Sequence, residues 1–262
     1  MVWKMPDLTG HQQHNALQLI TPDWPAPAGV KACSSTRFGG CSLGDFASLN
    51  LGDHVGDKPE LVHQNRQVLQ QHAGMPTEPV WLQQVHGIHV VRLPEQANRS
   101  LQADAVVSSA EAHVCCVMTA DCLPVLFCDR SGQQVGAAHA GWRGLLDGVL
   151  EATVAEFKQP AEVLAWLGPA IGPNVFEVGP EVRQQFIAAQ AAAEAAFQPS
   201  KAGKWLANLY LLARQRLQAV GVTAIYGGDY CTLSQPELFF SYRRDGQTGR
   251  MASCIWLERT NP

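Results

Sequence analysis

Between residues 88 and 139 the chain passes through five short blocks rich in Val, Leu, Ile and Ala, at 88–93, 104–108, 113–118, 123–128 and 134–139. Each block is bounded by Gly, Pro, Asp or Ser, so the pattern predicts a series of short buried strands. "GVKACSSTRFGG" (29–40) predicts an earlier strand running into a Gly-rich turn, and "EVLAWLG" (162–168), "VTAIYGG" (222–228) and "ASCIWLE" (252–258) supply three later ones. Four stretches change to a helical period. Residues 59–72 have Asp57 as a capping candidate, Pro59 in the first turn and Gly74 at the end. Residues 143–158 carry an apolar stripe at 145, 146, 149, 150, 154 and 157; residues 181–197 are Ala- and Gln-rich; residues 205–219 are amphipathic and stop at Gly221. The first ~25 residues are polar and aperiodic, and 41–59 predicts an ordered Gly- and Asp-rich loop of the kind that carries function.

Strands and helices follow one another without regular strand–helix–strand alternation, and no repeat or linker interrupts the chain. The expected fold is therefore α+β. We expect one catalytic domain over 1–262, with mixed β-sheets packed together and flanked by helices in a layered α/β/β/α sandwich.

Composition narrows the partners. With 262 residues, 46% apolar and 16% charged, the chain can bury a sizeable core without crosslinks. A net charge of −4 offers no basic field for nucleic acid or an anionic membrane. "MVWKMPDLTG" at the start lacks the apolar stretch of a signal peptide, and no window approaches the ~18 apolar residues of a membrane helix. The expectation is a soluble, cytoplasmic protein. Its eight cysteines contain no CxxC pair, and Cys115, Cys116, Cys128 and Cys254 read as core residues of a reduced protein.

Three stretches break the apolar rule: "WLQQVHG" (81–87), "MTADCLP" (118–124) and "AHAGWRG" (138–144). Each sets one soft or borderline ligand, His86, Cys122 or His139, beside a turn or small residue. Two imidazoles and a thiolate suit zinc, and three protein ligands leave a fourth position open for chemistry. On spacing alone, packed core residues explain the same pattern more simply.

Longer motifs decide between the two. "TRFGGCS", "SLNLGDHVGD", "NR", "WLQQVHG", "TADCLPVLF", "AAHAGWRG", "LGPAIGP", "FEVG" and "FFSYRRD…TGRMAS" follow one another from about Pro22 to Leu257. In this order they resemble the YfiH-type, laccase-domain family. The resemblance implies a purine nucleoside phosphorylase acting on adenosine, inosine and methylthioadenosine, with adenosine deaminase side activity. It also implies a catalytic zinc held by His86, Cys122 and His139.

Phosphorolysis requires a held phosphate dianion and a stabilised leaving purine. Arginine's planar fork matches phosphate, which makes Arg37, Arg66 and Arg143 candidates, with Asn50 a candidate for a ribose hydroxyl. Phe240 or Tyr242, in "FFSYRRDGQTGR" (239–250), could stack on a purine. That stretch otherwise reads as strand and turn, and "IGPNVFEVG" (171–179) reads as a tight turn. Deamination would need a proton-shuttling carboxylate. Asp121 is nearest in sequence, although neighbours on a strand point to opposite faces.

Other chemistries compete. Copper oxidation of phenols fits the laccase label, but multicopper sites favour HxH pairs and the nine histidines include none. "GCSLG" (40–44) matches GxSxG without the helix that a nucleophile elbow requires. Cys122 with His139 could serve a cysteine hydrolase, in which added zinc would inhibit. A non-catalytic role in editing cell-wall precursors has no motif of its own.

Overall fold

A computed structural model describes residues 16–94 and 101–258; the opening residues 1–15, on which the leader reading rests, lie outside the described part. In chain order the strands and helices are β1 (Leu19–Ile20), β2 (Val30–Ser35), α1 (Pro59–Ala73), β3 (Val90–Leu93), β4 (Ala105–Ser108), β5 (Cys115–Thr119), β6 (Leu123–Asp129) and β7 (Val135–Ala140). They continue as α2 (Trp142–Asp147), α3 (Val149–Val154), β8 (Val163–Leu167), β9 (Glu177–Val178), α4 (Pro180–Ala189), β10 (Phe197–Pro199) and β11 (Trp205–Ala207). Last come α5 (Leu209–Ala219), β12 (Ala224–Gly227), α6 (Tyr242–Asp245) and β13 (Met251–Leu257).

Two sheets make the body. An antiparallel sheet runs β1-β2-β13-β5, and a mixed sheet runs β12-β8-β6-β7-β4-β3 with parallel pairs at β12/β8 and β3/β4. The apolar runs follow from a period of two with both faces buried. Along β6, Leu123, Val125 and Phe127 face a core shared with α2 to α5, whereas Leu126 and Cys128 face the other sheet. Along β13, Ile255 and Leu257 enter the layer between the sheets, and Ala252, Cys254 and Trp256 pack with Leu69 of α1. The order of layers is thus α1, the antiparallel sheet, the mixed sheet, and α2 to α5, the expected α+β sandwich. Cys115 and Cys128 lie between the sheets and Cys116 and Cys254 on the α1 side, all four at most 1% exposed.

Local departures have local causes. Asp57 does not cap α1. Its Oδ2 accepts from Ser42 Oγ and Asn50 Nδ2 and its Oδ1 from the Lys58 amide, which ties the 41–58 loop together. The stripe over 143–158 is split into α2 and α3 by Gly148, whose φ of 103° ends one helix and starts the next. Helical pattern also fails at 205–207. Trp205 pairs with Val178 and with Pro199, so β-ladder bonds outrank periodicity there, and Asn208 caps the shortened α5 through Leu211 N. The 181–197 stretch likewise ends its α-helix at Ala189, tightens into a 3-10 turn over Ala191–Ala196 and becomes strand at Phe197. In 239–250, Ser241 caps one helical turn, α6, where strand and turn are expected.

Candidate metal centre

Three segments meet at one end of the layer between the sheets. The first, 81–87, is not a regular strand, yet its two glutamines make it behave like one. Gln83 forms a bridge with Gln102, and the Gln84 amide both donates to Met118 O at 2.8 Å and accepts from Met118 N at 2.7 Å. His86 follows with φ of 62°, a left-handed conformation uncommon for a residue with a side chain. The second segment is the turn between β5 and β6, where Asp121 has φ of 93° and delivers Cys122 to the same place. The third is β7, where His139 lies opposite Pro124 in the β6 register. Positive φ at two adjoining non-glycine positions marks backbone held against its preference, as at functional sites.

The Cys122 Sγ stands 3.8 Å from His86 Nε2, and one ligand atom from each of His86, Cys122 and His139 lies within 4.8 Å of the others. Donors held in a tetrahedron by bonds of ~2.0–2.3 Å stand roughly 3.4–3.8 Å apart, so small adjustments suffice to hold one ion. Exposure falls from His86 through Cys122 to buried His139, so the group opens to solvent on the His86 side. Gly141 must lack a side chain. A Cβ there would come within 2.7 Å of His86 Cδ2 and 3.1 Å of Cys122 Sγ.

Asp104 organises this group. Its carboxylate is fully buried and uses both oxygens twice: Oδ1 accepts from the His86 amide at 2.9 Å and from His139 Nδ1 at 2.8 Å, and Oδ2 from the amides of Val85 at 3.1 Å and Gly87 at 2.7 Å. One side chain therefore fixes the ring of one histidine and the main chain of the other. The bond to Nδ1 leaves His139 Nε2 for a ligand role. Asp104 is the residue that sequence reasoning missed. Its signal was the same as that of His139 and Cys122, a lone polar residue at the mouth of a buried strand.

Burial pushes the Asp104 carboxyl up, but the bonds from His139 and from the Gly87 and Val85 amides outweigh it and hold the group below its ordinary value. Burial also pushes the Cys122 thiol up, while His139 and then His86 overcome that and bring it down to about 6. For His139, burial lowers the imidazole, and the Cys122 charge with the Asp104 hydrogen bond raises it to about 9. Near neutral pH the pair is a thiolate beside an imidazolium, ready to exchange one proton for a cation.

The other sequence candidates separate. Arg37 gives Nε and Nη2 to Ala47 O and Nη1 to Pro236 O, with Phe240 4.7 Å beneath its guanidinium, so its fork braces main chain. Asn50 is fully buried and its amide is filled. It donates to Gly52 O and Asp57 Oδ2 and accepts from the amides of Gly52 and Arg250, which leaves nothing for a ribose hydroxyl. Arg66 bonds Leu51 O, pairs with Asp53 at 3.4 Å and stacks on Trp81. Arg143 is exposed at the start of α2, stacked on Trp142, with no hydrogen bond or ion pair among the described residues. Asp121 serves as a clamp, its Oδ1 accepting from Thr232 Oγ1 and its Oδ2 from the Arg243 amide. Phe240 is core, whereas Tyr242 is exposed. Ser42, the GxSxG serine, is buried against Asp57 and Asn65 and meets no histidine.

Comparison with known proteins identifies the family. A family model described as multi-copper polyphenol oxidoreductase laccase matches residues 31–258. The chain is 58% identical over 241 residues to the Escherichia coli protein named purine nucleoside phosphorylase YfiH, covering 92% of this chain and 99% of that one. It is 51% identical to a Haemophilus influenzae purine nucleoside phosphorylase, covering 92% and 100%. Among solved structures, Neisseria meningitidis protein NMB0706 superposes with a TM-score of 0.89 at 52% identity, covering 92% of this chain and 99% of that one. YlmD from Geobacillus stearothermophilus gives 0.82 at 30% identity, covering 94% and 100%. Matched by this family model over most of its length and by these relatives in sequence and fold, the chain belongs to the laccase-like YfiH family.

Proposed function

We propose that this protein is a purine nucleoside phosphorylase with zinc at His86, Cys122 and His139. In this reading it cleaves adenosine, inosine and methylthioadenosine with inorganic phosphate, and deaminates adenosine as a side activity. The observation that carries it is the convergence of one thiol and two imidazoles within 4.8 Å, in a chain 58% identical to a relative named for phosphorolysis. Thiolate with imidazole suits zinc, and a three-residue set leaves a position for substrate or water. When bound, the ion supplies a Lewis acid at the reacting oxygen.

The chain's own residues do the rest. Asp104 Oδ1 keeps a proton of His139 on Nδ1, so that Nε2 would be the atom to hold the ion. Arg143, stacked on Trp142 but with no hydrogen bond or ion pair among the described residues, has its N–H donors available to phosphate. Tyr242, 61% exposed, offers a flat aromatic surface to a purine. Arg66 pairs with Asp53, and Arg37 and Asn50 fix the 36–57 loop through Ala47 O and Asp57. No helix among the described residues is long and apolar enough to cross a membrane. All eight cysteines are free, which fits a cytoplasmic enzyme working on small metabolites.

One observation favours a second reading. Cys122, His139 and Asp104 line up as thiolate, imidazole and orienting carboxylate, the parts of a cysteine hydrolase. Copper oxidation has less support, since the described residues hold a single three-residue metal group. Incubating metal-analysed protein with adenosine and phosphate separates these readings. Adenine with ribose 1-phosphate supports phosphorolysis and hypoxanthine with ribose 1-phosphate adds deamination. Full activity after metal removal would sink the zinc reading and favour the thiol.

A further inference from the structure

A cavity of about 350 Å³ is lined by His54, Val55, Tyr242, Gly246, Gln247, Thr248 and Arg250. Arg250 precedes β13 and is anchored on one side only. Its Nη1 donates to Thr248 O at 2.9 Å and Gly249 O at 3.1 Å, while its amide and carbonyl bond Asn50 Oδ1 and the Leu51 amide. Its Nε and Nη2 have no hydrogen bond or ion pair among the described residues. These two nitrogens form the edge of a guanidinium that grips an oxyanion through parallel bonds. Thr248 supplies a second unspent donor. The residue is 1% exposed and lines the cavity, yet its Oγ1 has no partner among the described residues. A buried hydroxyl without a partner is uncommon and calls for a ligand.

Arg250 directly precedes Met251, which pairs with Thr119 at the end of β5, so the cavity lies toward the β5–β6 turn that carries Cys122. The nearby acids are already engaged. Asp121 is held by Thr232 and the Arg243 amide, and Asp53 pairs with Arg66 and His54. His54 lines the cavity, and Arg66 reaches Asp53 next to it in the chain. A sequence search for phosphate-binding arginines reaches Arg37, Arg66 and Arg143 and passes over Arg250.

We propose that this cavity is the phosphate subsite, with the Nε/Nη2 edge of Arg250 gripping two phosphate oxygens and the Thr248 hydroxyl donating to a third. This rests on the phosphorylase reading and deepens it, by setting the nucleophile on the Cys122 side of the site.

The test is calorimetric titration of metal-loaded protein with inorganic phosphate, paired with steady-state kinetics on inosine. Arg250→Gln should weaken phosphate binding ~10- to 100-fold, and Thr248→Val, which keeps the shape, ~2- to 10-fold. Bound metal and the KM for inosine should be unchanged in both, and Thr248→Val should keep the wild-type melting temperature. Wild-type protein that binds no phosphate, or Arg250→Gln protein that binds it normally, overturns the proposal. So does a loss of phosphate and inosine binding in parallel with a lowered melting temperature, which is the mark of a structural arginine. Phosphate binding lost in Arg250→Gln with no phosphorolysis in wild type would keep the anion site and refute the phosphorylase reading instead.

Discussion

Replacing Asp104 with Asn tests whether one carboxylate holds the metal centre together. The carboxylate accepts four hydrogen bonds, two on each oxygen. An amide retains one acceptor oxygen and turns an NH2 toward two donors. Two charge-assisted bonds at about 1.5–3 kcal/mol each are lost, a total of about 3–6 kcal/mol. Removing one partner of a buried ion pair gives an independent figure of about 3–5 kcal/mol. Urea unfolding of the metal-free variant should therefore show a midpoint lower by at least ~1 M. Metal affinity should fall ~10- to 100-fold, because His139 loses its orienting partner and the His86 loop its amide anchors. The sign with pH also follows. The folded carboxyl is held below its ordinary value, so its contribution is complete above about pH 4 and is lost as acid protonates it. The gap between wild type and variant should thus be widest near neutral pH and close in strong acid. A midpoint within ~0.2 M of wild type at pH 7, with metal affinity intact, would refute the reasoning.

Three further outcomes follow from the same geometry. Between pH 6 and 9, with Cys122 ionised and His139 protonated, metal binding should release about one proton, rising toward two below pH 6; calorimetry in two buffers reads the number. A release near zero at pH 7.5 would show either that the metal-free pair is not thiolate and imidazolium or that His139 is not a ligand. Gly141→Ala places a methyl against His86 and Cys122 without backbone strain, since φ is −61°. It should cost about 1–3 kcal/mol and displace metal, and unchanged metal content would show that the two ligands yield more easily than their packing implies. Cys122→Ser should remove most of the metal, whereas Cys128→Ser, which buries a hydroxyl between the sheets, should cost about 1–3 kcal/mol and leave metal in place; elemental analysis with melting curves distinguishes the two.

Much of this was readable in advance because buried strands announce themselves. β5, β6 and β7 are covered on both faces, so any polar residue at their ends stands out, and Cys122 and His139 did. Asp104 carries the same mark, but its partners lie 17 to 19 residues earlier and 35 later. Nothing local predicts such contacts. The strand at 205–207 was hidden for a related reason, since its pairing with Val178 is tertiary while its helical period is local. Arg37 and Asn50 show the opposite difficulty. A polar residue in a Gly-rich loop looks alike whether it grips a substrate or the loop's own carbonyls, and the hydrogen-bond partners alone tell them apart.

The three candidate ligands are divided between the two sheets. His139 belongs to the mixed sheet, Cys122 sits in the turn that passes from β5 in one sheet to β6 in the other, and His86 depends on Met118 of β5 through Gln84. A nascent chain that has formed either sheet alone owns an incomplete donor set. The pocket is whole only when the two sheets are docked, which brings together contacts far apart in the chain. An ion that needs all three donors would therefore be held by the assembled molecule and not by either sheet alone.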